Sequence, residues 1–74
     1  MPGRLRRLTA SEVETLLRHH GFVLVRQRGS HRKWRNLERK LQVIVPMHSG
    51  RPLPIGTLTH ILKGAEIPEE EWRP

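Results

Sequence analysis

Between Arg26 and Lys40 the chain places seven basic side chains and one glutamate in fifteen positions, with Gly29, Ser30, His31 and Trp34 among them. Guanidinium and ammonium groups beside the backbone N–H donors of a glycine-containing turn are what a phosphate requires. Arg26, Arg28, Gly29, Ser30, Lys33 and Arg35 are therefore candidate RNA contacts; the plainer reading is a solvated hairpin around a core tryptophan. His31 is the candidate catalytic residue, because an imidazole can accept or donate a proton near neutrality. The cations around it could hold a scissile phosphate and stabilise the charge that develops there. RNA carries its own nucleophile, the 2′-hydroxyl, so one positioned base and a few cations could cleave it with no metal and no other cofactor. On chemistry alone, an ordinary exposed histidine is the favoured reading of His31.

His48, in Pro46-Met47-His48-Ser49-Gly50, is a possible second proton-transfer group if its loop folds over the site; otherwise it is a loop histidine. His19 and His20 stand where a first helix should end and suit its dipole, and His60 falls on a second helix. The acids lie mainly at Glu66 and Glu69–Glu71. They form no carboxylate cluster for a two-metal nuclease and suit a helix terminus better. Phosphate-loop and dinucleotide fingerprints are absent.

A chain of 74 residues with 35% apolar side chains has room for one small domain and a thin core. With no cysteine, that core has neither a disulfide nor a thiolate metal site to brace it. No apolar run approaches the ~20 residues of a membrane span, and residues 1–8 lack the apolar centre of a signal peptide, so a cytoplasmic protein is expected. The net charge of +7 is unevenly placed: residues 1–40 carry eleven basic and three acidic side chains (+8), residues 41–74 three and four (−1). Such polarity favours a polyanionic partner, nucleic acid first.

The elements that must position these residues follow from periodicity. Thr9 with Glu12, or Ser11 with Glu14, offers a capping box. Val13, Leu16, Leu17 and His20 then form a helical stripe that Gly21 stops. Residues 22–28, 31–36 and 41–46 read as strands joined by short connections, hence an antiparallel meander. Residues 47–54 form a loop. Ile55, Leu58, Ile61 and Leu62 mark one face of a second helix closing near Gly64, and Pro68 to Trp72 reads as a last helical turn. The expected fold is α+β, in the order αβββα: a three-stranded antiparallel sheet with both helices on one face and the other face open. If Trp34 faces the helices, Arg32 and Asn36 join it while His31, Lys33 and Arg35 project from the open face. Leu41, Val43 and Val45 should face the core. The parity of the first strand stays open, since Phe22 and Leu24 compete with Val23 and Val25, and a bulge near Gly29 would change it.

Several of these residues, taken in order, resemble a known family. Gly21-Phe22, Arg26-Gln27, Gly29-Ser30-His31, Val45-Pro46 with His48, Gly56-Thr57-Leu58 and Ile61-Leu62-Lys63 are similar to the HicA (YcfA-like) toxins of bacterial and archaeal toxin–antitoxin pairs, over about residues 8–67. The resemblance implies a double-stranded-RNA-binding-like fold and an mRNA interferase whose key histidine, here His31, follows Gly-Ser at the start of the second strand. It also implies a cognate HicB antitoxin that covers the active surface. Glu66 departs from the pattern, standing where a glycine is common. Arg4, Arg6 and Arg7 add charge that would extend the RNA-binding surface. Two other readings of the same residues are a non-catalytic RNA-binding module that recognises A-form geometry and a protein-docking module with a basic face.

Overall fold

The structure, a computed structural model, describes residues 7–72; Arg4 and Arg6 lie outside them. The elements are α1 (Ala10–His19), β1 (Val23–Arg28), β2 (His31–Asn36), β3 (Leu41–Pro46), α2 (Ile55–Gly64) and a 3₁₀ turn at Glu69–Glu71. The sheet is antiparallel in the order β1-β2-β3. This is the expected α+β meander, and the core runs between one sheet face and the two helices.

Of the two possible capping boxes, Thr9 and Glu12 form the real one. The Thr9 hydroxyl accepts from the Glu12 N–H at 3.2 Å, and the Glu12 carboxylate accepts from the Thr9 N–H at 2.9 Å. That leaves Glu14 on the inner side of α1 with Ala10, Val13 and Leu17. The helix ends at Gly21, whose φ of 83° lets its N–H donate to Arg18 O at 3.1 Å while the Phe22 N–H reaches Leu17 O at 2.9 Å. Phe22 is thereby drawn into the core, and β1 begins one residue later than expected, at Val23.

At the end of α2, Glu66 performs the same closure. It holds φ at 55°, with its N–H on Lys63 O at 3.0 Å and the Ile67 N–H on Leu62 O at 3.1 Å. An ion pair with Arg39 at 2.8 Å holds the glutamate there. The helix therefore closes at the expected place without the expected residue type. Ile55 departs from the expected stripe: it is 49% exposed, the buried positions beginning at Leu58. Leu53, fully buried just ahead of the helix, supplies the apolar side chain at that end instead. Beyond residue 67, Trp72 is buried and donates its indole N–H to Ile67 O at 3.0 Å, so the core includes it.

Both helices pack on β3, with α1 also tied to β2 by side chains described below, and every residue of β1 is exposed. The loop after β3 turns back to the start of α1. Pro52 bridges Thr9, and the Leu53 N–H bonds Leu8 O at 2.8 Å. Among the described residues no helix is long and apolar enough to cross a membrane.

Candidate functional site

The site begins with what holds β2. Trp34 is buried and donates its indole N–H to the Glu14 carboxylate at 2.8 Å; Arg32 Nε donates to the same oxygen at 2.7 Å. Arg32 also reaches the Gln27 side-chain oxygen at 3.0 Å, and the Arg18 guanidinium lies 5.0 Å from the Trp34 ring centre. At the strand's far end, the Asn36 amide donates to His20 O at 2.8 Å and its oxygen accepts from the Arg39 N–H at 3.0 Å. Each inward side chain of β2 thus has a specific partner, and a shift of one residue would break them all. With Arg32, Trp34 and Asn36 inward, His31, Lys33 and Arg35 occupy the outward positions, as the alternation predicted.

The second contribution comes from β1. Leu24 lies opposite Trp34, but Arg26 lies opposite Lys33 and Arg28 opposite His31, so Val25 is an extra residue in the ladder. Residues opposite each other in an antiparallel pair share a face. In a regular ladder running on from Leu24, Arg26 and Arg28 would point toward the helices. The bulge at Val25 turns both arginines to the open face and brings Gln27 inward, where it meets Arg32. The bulge considered near Gly29 lies instead at Val25, and it resolves the open parity of the strand. Gly29-Ser30 closes the hairpin as a two-residue turn, with Gly29 at φ 58°, a conformation that favours glycine there.

The result is a concavity of about 460 Å³ lined by Arg26, Arg28, His31, Lys33 and Ile44. Four of the candidate site residues meet there. Arg35 shares the face but lies beyond the lining, opposite Val23 and Gln42. Gly29 and Ser30 form the adjoining hairpin tip, where Ser30 O accepts from the Met47 N–H at 2.8 Å. His48 follows Met47, is exposed, and is not among the lining residues; four residues on, Pro52 of the same loop bridges Thr9.

The electrostatics of this face are one-sided. The ion pairs among the described residues join Glu14 to Arg32, Glu66 to Arg39 and Glu71 to His20. None engages Arg26, Arg28, Lys33 or Arg35, and no acidic residue occupies an outward position of the three strands. A polyanion that approaches here meets cations with no internal competitor. Among the described residues there is no group of three or more histidine and acidic side chains that could hold a metal ion.

Two residues of this arrangement escaped the reading of the sequence. For Glu14 the sequence suggests only a capping-box partner of Ser11; its signal was its place in the apolar stripe, one residue after Val13 and three before Leu17. Ile44 alternates with the core residues Val43 and Val45 and so had to face outward, but nothing in one strand says that cations from the other two surround it.

Comparison with known proteins finds a family model, described as HicA toxin of bacterial toxin–antitoxin, that matches residues 10–67. No curated protein matches the chain.

Proposed function

Because the chain belongs to the HicA toxin family of bacterial toxin–antitoxin systems, we propose that it is an endoribonuclease, an mRNA interferase, with His31 as its proton-transfer residue. The observation that carries this reading is the meeting of His31 with Arg26, Arg28 and Lys33 around one concavity from which acids are absent. In the reaction the 2′-oxygen of a ribose bonds to the adjacent phosphorus as the bond from phosphorus to the 5′-oxygen breaks. The products are a 2′,3′-cyclic phosphate and a 5′-hydroxyl. The 2′-hydroxyl loses one proton and the departing 5′-oxygen gains one; His31 serves one of these transfers, and solvent the other. Arg26, Arg28 and Lys33 hold the phosphate and stabilise the charge on its oxygens as the new bond forms, with Arg35 steering the strand beyond. The nucleophile belongs to the substrate, so the proposed reaction requires no metal ion.

The proposed partner that silences it is a HicB-type antitoxin seated over the same face, and the proposed place of action is the cytoplasm, where mRNA is found. The test is cleavage of RNA by the purified protein in EDTA. The expected result is fragments that end in a cyclic phosphate, and an His31→Ala variant that cuts nothing while keeping its circular-dichroism spectrum and most of its RNA affinity. An His31→Ala protein that still cleaves would remove the assignment.

A further inference from the structure

Ile44 is the only apolar side chain among the residues lining the concavity, and it is 47% exposed. It lies directly across the ladder from Lys33, with Arg26 beyond Lys33 on β1. The cations around it account for phosphate binding, but an aliphatic group gains nothing from a phosphate. The chain's aromatic side chains are Phe22, Trp34 and Trp72, and all are buried. No phenyl or indole ring is therefore free to stack on a base, which is how many proteins hold single strands. Ile44 is the water-exposed apolar side chain that remains at this site.

We propose that Ile44 seats an unpaired nucleobase while Arg26, Arg28 and Lys33 hold the neighbouring phosphate, so that the site takes single-stranded RNA in preference to a duplex. The inference rests on the endoribonuclease reading and names its substrate class. Three arguments support it. In a duplex the base faces are hidden in the stack, and the outside offers phosphates, 2′-hydroxyls and base edges, none of which an isoleucine can use. The concavity's volume falls in the range of about 300–1,000 Å³ typical of small-ligand sites, room for one nucleotide. Cleavage by the 2′-oxygen also needs that oxygen in line with the departing 5′-oxygen, a geometry that a regular A-form strand does not present and a single strand can adopt.

The test uses the full-length His31→Ala protein, to keep the RNA intact, and two fluorescent probes: an unstructured 12-nucleotide RNA and the same RNA fully paired. Affinities are measured across a salt series. The single strand should bind at least about tenfold more tightly than the duplex. Ile44→Ser should weaken single-strand binding about fivefold, in line with the loss of part of an isoleucine's apolar burial. Its log–log salt slope should not change, because an apolar contact releases no counterions. Ile44→Leu should restore most of the affinity, and the duplex should be indifferent to both substitutions. If both probes bind equally, or Ile44→Ser leaves single-strand affinity unchanged while the salt dependence persists, this inference fails and the endoribonuclease reading stands. If neither probe binds with a salt-dependent affinity, both fail.

Discussion

At the scale of single residues, the outward and inward neighbours on β2 have opposite duties. Lys33 stands in the concavity without an acidic partner, so its charge is available to a phosphate. Lys33→Gln should reduce the slope of log affinity against log salt by about 1, and weaken binding to different RNA sequences nearly equally. Filter-binding titrations at several salt concentrations would measure both; a loss confined to one sequence would contradict the phosphate role. Arg32, the next residue inward, is committed to Glu14 at 2.7 Å, with the glutamate side chain 5% exposed and the arginine side chain 20%. Removing one partner strands the other, and Trp34 loses its acceptor as well. Glu14→Ala should therefore cost about 3 kcal/mol, a large share of the roughly 4–11 kcal/mol expected of a domain this size. Glu14→Gln, which keeps an oxygen for the indole and the guanidinium, should cost less than the alanine variant. Urea unfolding followed by tryptophan fluorescence would show whether that order holds.

At the scale of elements, β1 is where the site's geometry is decided. Deleting a residue from a regular strand moves every later side chain to the other face. Deleting Val25, the extra residue of a bulge, should instead leave Arg26 opposite Lys33 and Arg28 opposite His31 in an ordinary ladder. The deletion variant should fold and keep its RNA salt slope; a slope lower by about 2 would mean that both arginines had swapped faces. The same strand marks the limit of what the sequence could reveal. The face of β2 was legible because a lone tryptophan in an alternating polar strand has one reasonable destination, and that placed His31, Lys33 and Arg35 outward. Leu41, Val43 and Val45 announced their own face in the same way. Phe22 to Val25 is apolar throughout and has no alternation to read. The bulge that resolves it depends on Gln27 and Leu24 meeting partners on β2, which is information between strands. Glu66 was uncertain for a related reason: its left-handed backbone is supported by Arg39, twenty-seven positions earlier.

At the scale of the whole molecule, charge and shape divide the surface in two. The helices and Glu69–Glu71 lie with the core and the acids, whereas the charged side chains of the open sheet face are all cationic. An antitoxin with an acidic surface should be attracted to that face and would inhibit by covering His31. Hydrogen exchange with and without such a partner should show protection across residues 26–36 and near 48, with smaller changes on the outer helix surfaces. Protection restricted to α1 and α2 would instead call for inhibition at a distance. The absence of acids on the face also bears on how long the protein lasts. Arg26, Arg28 and Lys33 crowd one concavity and repel one another whenever nothing negative is bound, a strain the unfolded chain relieves by moving them apart. A bound polyanion removes that strain and adds its own binding energy to the native state, about 2.7 kcal/mol at a hundred times its dissociation constant. For a domain of such modest stability this is a large difference in exposure to proteases. The same feature that would let the protein grip an anion should make the uncomplexed molecule the shorter-lived form.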